Sequence, residues 1–217
     1  MNMKNNSIDV TTLIKKERNY KLILFLFNWL FKRIIQYQVV NLERIPKESG
    51  IIYVMNHRDY YDAPLIFSIL RKKPVHVLGK KELQNELVGK ILGIMGAVFV
   101  DRSDADSRKQ AKAILIALVS EGSNILITPE GTRNKTDAIL LPFSGYGTVG
   151  IAQKTGCPIV PFAISPYGVK GKKRIVQVCE TFFVNADDDL ETANKALYKR
   201  LYDAILHNNE MINSQDK

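Results

Sequence analysis

The chain has 217 residues, 46% of them hydrophobic, which suits one α/β domain with a substantial core and leaves disorder only to the termini. Lys and Arg outnumber Asp and Glu 31 to 22, and the net charge of +9 fits anionic lipid headgroups, phosphorylated ligands, nucleic acid or plain solubility. Three histidines and two cysteines, none at metal-ligand spacing, argue against a zinc site; Cys157 and Cys179 read as free, buried thiols of a reducing compartment.

The first residues are polar and no small-residue cleavage site follows, so they do not read as a signal peptide. Leu22 to Phe31 is apolar, but Asn28 interrupts it and Lys32-Arg33 closes it, short of the ~20 apolar residues of a spanning helix. Lys15, Lys16, Arg18 and Lys21 precede this run, and Trp29 sits among its phenylalanines. That pattern predicts an amphipathic helix in the plane of an anionic membrane surface, with a helix packed on the domain as the alternative. Residues 1–40 are accordingly assigned to a membrane-interface helical segment and 41–217 to the folded domain.

From Gly50 onward strands and helices alternate. Gly50–Met55 reads as a strand and Asp62–Leu70 as a helix with Pro64 in its first turn. Pro74–Leu78 is a strand, Glu82–Met95 a helix and Ala97–Val100 a short strand. Asp104–Ser120 is a helix with an apolar face of Ala111, Ile114, Leu115 and Leu118, ended by Gly122. Asn124–Thr128 is a strand, followed by a Gly-rich loop and a helix over Thr148–Lys154. Pro158–Ile164 and Arg174–Val184 read as strands and Leu190–His207 as the last helix, with a loose tail after Asn208. Such alternation predicts an α/β fold: a single domain with a largely parallel, mixed sheet flanked by helices. Lys170 to Arg174 reads as a solvated basic turn, or alternatively as a headgroup or phosphate contact.

Four segments carry chemistry. In Asn56-His57-Arg58-Asp59-Tyr60-Tyr61-Asp62 a histidine and an aspartate lie five positions apart just after a strand. A carboxylate beside an imidazole fixes its tautomer and stabilises the imidazolium, which makes a general base; a loop histidine with local hydrogen bonds is the plain alternative. In Gly96-Ala97-Val98-Phe99-Val100-Asp101-Arg102 a strand delivers Arg102, whose planar fork suits phosphate unless Asp101 or Asp104 pairs it. In Thr128-Pro129-Glu130-Gly131-Thr132-Arg133 the glycine permits close backbone approach, Thr132 donates to phosphate oxygens and Arg133 neutralises charge. Glu130 there orients Arg133 or accepts from a substrate hydroxyl. In Cys157-Pro158-Ile159-Val160-Pro161-Phe162 two prolines push a buried strand to an edge or a bend.

In this order the four segments resemble the blocks of the glycerophospholipid acyltransferase family: Asn56-His57 with Asp62, Gly96 with Phe99 and Arg102, Glu130 to Arg133, and Pro158 to Pro161. The similarity runs from about Asn41 to Val184, and Leu78-Gly79-Lys80-Lys81-Glu82-Leu83 also looks like the family's stretch before its second block. The resemblance implies His57 as general base, Asp62 as its orienter, and Arg102, Glu130, Gly131, Thr132 and Arg133 as the acceptor-phosphate site, with Lys80 as a weaker candidate. It places Pro161 on the acyl or donor side. It implies acylation of a lysophospholipid, foremost 1-acyl-sn-glycerol 3-phosphate, with acyl-CoA or acyl-acyl-carrier-protein as co-substrate and no cofactor or metal, on the cytoplasmic face of the cell membrane.

Three positions depart from the family pattern. Asp59 stands where a small residue is common; buried near His57 it would strengthen the ring's hold on a proton and raise the pH optimum, unless it points away. Thr128 replaces a common Phe. Pro142 to Gly147 is Gly-rich where lysines are frequent, which weakens the assignment of a phosphorylated partner. Another lysolipid or glycerol 3-phosphate is the nearer rival acceptor. A thioester hydrolase is a rival of another class, though no Gly-x-Ser-x-Gly elbow occurs for a serine enzyme. A lipid-binding protein with a degenerate site is the third; nucleic acid lacks aromatic–basic interleaving and is not expected.

Overall fold

Seven strands form one sheet in the order β1-β7-β6-β2-β5-β3-β4. In the computed structural model the described residues are 9–17, 36–70, 73–165 and 174–215. The strands are β1 (Tyr37–Val40), β2 (Ile52–Met55), β3 (Val75–Lys80), β4 (Val98–Val100), β5 (Asn124–Ile127), β6 (Ile159–Ser165) and β7 (Arg174–Val178). All neighbours pair parallel except β6 with β7, so β1 and β7 run against the other five. β2 and β5 are buried at every position, as continuous apolar runs between two helical layers must be.

The helices are α1 (Asp62–Leu70), α2 (Leu87–Ile94), α3 (Ala105–Ser120), α4 (Gly147–Thr155) and α5 (Leu190–Gln215). One face of the sheet packs Tyr53, Met55, Val77 and Leu126 against Leu65, Phe67 and Leu70 of α1. The other packs Ile52, Val54 and Ile125 with Leu115 and Leu118 of α3, Ile151 of α4 and Leu197 and Leu201 of α5. α3 begins where the Asp104 side chain accepts from the Asp106 amide. It ends in a Schellman turn: Ser123 N donates to Leu118 O at 2.9 Å and Gly122 N to Val119 O at 3.0 Å, with Gly122 at φ 82°.

Five expectations change. The chain over 82–95 is a 3-10 turn (Lys81–Asn85) followed by α2, with Glu86 extended between them, rather than one helix. At Gly89 the helix presses on the turn so closely that a Cβ would lie 1.7 Å from Leu83 O. β7 stops at Val178, and pairing resumes only at Phe182 opposite Ile159, so one extra residue is accommodated as a bulge. Pro161 explains it: its carbonyl faces β7 and accepts from Cys179 N, so the amide it lacks is missing on that same side. α5 continues to Gln215, past the expected loose tail, because Asn208 and Ile212 remain buried on the core side, one turn apart. β1, which was not expected, extends the sheet beyond β7. Cys179 is buried, and that burial pushes its thiol up to about 12; Cys157 is only half-buried.

Residues 10–17 are helical and pack on the domain. Leu13 enters the core, Lys16 Nζ donates to Gly93 O at 3.0 Å, and Glu17 accepts from Ser123 Oγ at 2.7 Å and faces His76 Nε2 at 3.2 Å. The apolar run Leu22 to Phe31 lies outside the described residues. Among the described residues no helix is long and apolar enough to cross a membrane.

Gly96, which begins the second block, turns the chain from α2 into β4 at φ 88°, and its carbonyl accepts from His76 Nδ1 at 2.9 Å. A Cβ there would sit 2.7 Å from that same nitrogen. Gly96→Ala is expected to lower stability by about 1–3 kcal/mol through left-handed strain and displacement of His76, measured by urea unfolding. A midpoint equal to that of the wild type would contradict this account.

Candidate active site

The five parallel strands end on one edge of the sheet, and the loops that leave four of them build the site. β2 delivers Asn56 and His57. The Asn56 amide bridges to β6, donating to Ile164 O at 3.1 Å and accepting from Ile164 N at 2.9 Å. The His57 backbone is held on both sides: its N–H donates to Glu130 Oε1 at 2.8 Å and its carbonyl accepts from Asn134 N at 2.7 Å.

The ring is held through Nδ1, 3.2 Å from Asp62 Oδ2. Asp62 opens α1 and is fully buried. Its Oδ2 also accepts from the backbone amides of Arg58 and Asp59, each at 2.8 Å, so the 58–62 loop is wound around that carboxylate. Because a carboxylate accepts only, Nδ1 carries the proton, and Nε2 is the lone-pair nitrogen offered to a substrate.

β5 delivers Thr128 to Arg133. Gly131 N donates to Thr128 O at 3.0 Å, and Gly131 takes φ 69°. A Cβ there would lie 2.7 Å from Ser144 Oγ, which itself donates to Pro129 O at 3.1 Å. The glycine thus lets the 142–147 loop close on the 128–131 turn. Glu130 is buried, with Oε1 on His57 N and Oε2 accepting from Leu141 N at 2.9 Å. Burial pushes its carboxyl up, and the two amide bonds pull the other way. Both oxygens therefore brace loops, and Arg133 lies instead over the Tyr60 ring, 3.7 Å from its centre.

Two cavities meet at this edge, one on each face of the sheet. The first, ≈ 430 Å³, is lined at its polar end by His57, Lys80, Arg102, Thr132 and Arg133 and in its depth by Met55, Phe67, Val77, Leu92 and Leu126. The second, ≈ 660 Å³, runs under α3 and α4, lined by Glu130, Gly131, Arg108, Lys112, Leu115 and Ile151. Arg102 and Thr132 line both. Neither acid suspected of pairing Arg102 is turned to it: Asp101 lies 3.6 Å from Lys81 and Asp104 caps α3. Burial holds the Arg102 guanidinium below its usual range, with Glu82 opposing.

Residues 36–165, more than half of the chain, match the family model described as Acyltransferase. The chain belongs to the Acyltransferase family. It is 35% identical over 127 residues to the 1-acyl-sn-glycerol-3-phosphate acyltransferase of Borreliella burgdorferi, covering 58% of this chain and 50% of that one. The protein of the same name from Haemophilus influenzae is 31% identical over 127 residues, covering 56% and 52%. The matched stretch thus spans about half the length of these curated relatives. The crystal structure of the 1-acyl-sn-glycerophosphate acyltransferase PlsC from Thermotoga maritima superposes with a TM-score of 0.69 at 25% identity, over 88% of this chain and 81% of that one.

His57, Asp62, Arg102, Glu130, Gly131, Thr132 and Arg133, the residues through which the chain resembles the family, are all brought to the strand ends. Pro161 is not: it is buried inside β6 beside Val54 and lines neither cavity. Arg174, read as part of a solvated turn or alternatively as a headgroup or phosphate contact, instead pairs with the carboxylates of the His57 loop. It begins β7 with its Nη2 2.7 Å from Asp59 Oδ2 and its Nη1 3.4 Å from Asp62 Oδ1. Sequence reasoning missed it for lack of any local signal, because the contact spans 112 residues of chain. Asp59 beside a buried Asp62 does call for a cation, but does not say which of 31.

Proposed function

We propose that the protein transfers a fatty acyl group from an acyl thioester to the free hydroxyl of a lysophospholipid, foremost 1-acyl-sn-glycerol 3-phosphate, giving phosphatidic acid. One observation carries this reading: His57 shares a single cavity with Arg102, Thr132 and Arg133 at its polar mouth and with Phe67, Leu92 and Leu126 in its depth. A base, an anion site and an apolar wall in one cleft suit an acceptor that has a hydroxyl, a phosphate and a hydrocarbon chain. In the reaction, Nε2 of His57 takes the hydroxyl proton as that oxygen attacks the thioester carbonyl. The carbon–sulfur bond then breaks and the proton passes from the imidazolium to the leaving thiolate. Asp62 holds the ring through both steps and stabilises its charged form. Alignment of the two substrates supplies much of the remaining acceleration.

The surface beside this cleft supports a lipid setting. Leu87, Val88 and Ile94 of α2 are exposed among Lys80, Lys81 and Lys90 and the acids Glu82 and Glu86, an apolar patch with a mixed-charge rim suited to a lipid surface. Free Cys157 and Cys179 suit the cytoplasmic face.

The test is to offer the purified protein acyl-CoA or acyl-acyl-carrier-protein with lysophosphatidic acid, glycerol 3-phosphate or other lysolipids, following thiol release and lipid product together. Phosphatidic acid formed in step with thiol supports the proposal. Thiol without any acylated product would make the protein a hydrolase, and product from another acceptor alone would replace lysophosphatidic acid. No thiol release with any donor would point to a binding protein.

A further inference from the structure

The 57–62 loop holds two carboxylates, Asp59 and Asp62, and one guanidinium reaches both from the start of β7, two strands away from β2. Arg174 is fixed at its own end: its amide donates to Gln36 O at 2.9 Å, and β7 is held between β6 and β1. Its side chain is 14% exposed, against 31% for Asp59 and 0% for Asp62. A planar fork from a strand, gripping two carboxylates on one loop, is a rigid strut.

We infer that Arg174 is a positioning residue for the general base, fixing the His57 loop through Asp59 and Asp62 and setting how tightly these carboxylates hold a proton on the imidazole. The inference rests on His57 acting as the base. Asp62 touches the ring and Asp59 is linked to it through Arg174; the two carboxylates and one guanidinium sum to one net negative charge, which the imidazolium cancels. Without the Arg174 charge, two uncompensated carboxylates would favour the imidazolium and withhold the base at mildly acidic pH. Without Asp59, the ring would face one carboxylate already matched by Arg174. Asp59, the departure from the family pattern, and Arg174 thus form a compensating pair.

The other charged groups around His57 are Arg58 in the same loop, Glu130 at its backbone amide, and Lys80, Glu86, Arg102, Arg133 and Lys135 around the shared cavity. None of them changes in the comparison that follows. The dependence of kcat/KM on pH is measured for the wild type, Arg174→Gln, Asp59→Asn and the double variant, with Arg174→Lys as the conservative replacement and His57→Ala as control. The acid limb is expected to move up by roughly one pH unit in Arg174→Gln, down by a similar step in Asp59→Asn, and back to the wild-type position in the double variant. Arg174→Lys restores the position of the limb, while its kcat stays several-fold low because one ammonium does not reproduce the fork.

Acid limbs that stay in place in both single variants would overturn the inference, even if kcat fell. Should Arg174→Gln not fold, Asp59→Asn alone decides, since its side chain lies near the surface and its limb must move down. Wild-type turnover by His57→Ala would defeat the base itself; an inactive His57→Ala with unmoved limbs would defeat only the role of Arg174.

Discussion

His57→Ala is expected to lower kcat by roughly 10²–10⁴-fold while leaving the KM for the acceptor within a few-fold of the wild type. The ring accepts the hydroxyl proton, and among the described residues at the strand ends none of the three nearby carboxylates can replace it: Asp59 is paired with Arg174. Asp62 is buried behind the ring, and Glu130 has both oxygens on backbone amides. Binding depends on groups that the substitution leaves untouched, namely Arg102, Thr132 and Arg133 at the mouth and the apolar wall behind them. The His57 side chain is 22% exposed and the backbone bonds on either side of it do not involve the ring, so the melting temperature should change little. Arg133→Ala is the contrast. It removes a charge stacked on Tyr60 in the same cavity, and should raise the acceptor KM about tenfold or more with a smaller effect on kcat. Steady-state kinetics on both variants settle the division of labour; equal losses of acceptor binding in the two would contradict it.

Much of this arrangement was legible in the sequence because its signals are local. A strand that is buried on both faces reads as a nearly continuous apolar run, as β2 and, after Asn124, β5 did. Glycines at φ 88° and 69° marked the turns at Gly96 and Gly131. Asp62 and His57 are five residues apart, and a loop that short leaves the carboxylate few directions other than back toward the ring. Contacts made across the sheet were not legible. The bulge opposite Pro161 depends on which neighbour faces its missing amide, and that is decided by β7 running against β6. Glu130 was read as orienting Arg133 or accepting from a substrate hydroxyl, but the backbone amides of His57 and Leu141 compete for the same carboxylate and hold both its oxygens. The helix was read through Glu86 because no proline or glycine interrupts 81–88, while the break depends on how closely Gly89 approaches Leu83. Arg174 is the extreme case, since only the return of β7 to the sheet brings it beneath the 57–62 loop.

Asp62→Asn tests whether His57 and its carboxylate act as a unit. Asp62 receives four donors: the amides of Arg58 and Asp59, His57 Nδ1 and Arg174 Nη1. An asparagine offers one oxygen and one NH₂. With the oxygen on the backbone amides, the NH₂ is turned toward the guanidinium; flipped, it is turned toward the amides and the ring. The flipped amide would invite the tautomer that carries its proton on Nε2, and an N–H there cannot accept from a hydroxyl. A loss in kcat of roughly 10²–10⁴-fold is expected. Stability should fall by about 2–4 kcal/mol, because a fully buried acceptor of charged and backbone donors is lost while Arg174 keeps only Asp59. Thermal unfolding and kinetics measured together therefore separate Asp62→Asn, which loses both, from His57→Ala, which loses turnover alone. The double variant is the sharper comparison. If Asp62 works only through the ring, adding Asp62→Asn to His57→Ala should cost little further kcat, since the group it orients is already absent. Losses that multiply would mean that Asp62 touches the reaction independently of His57, and the base–orienter pair would have to be given up.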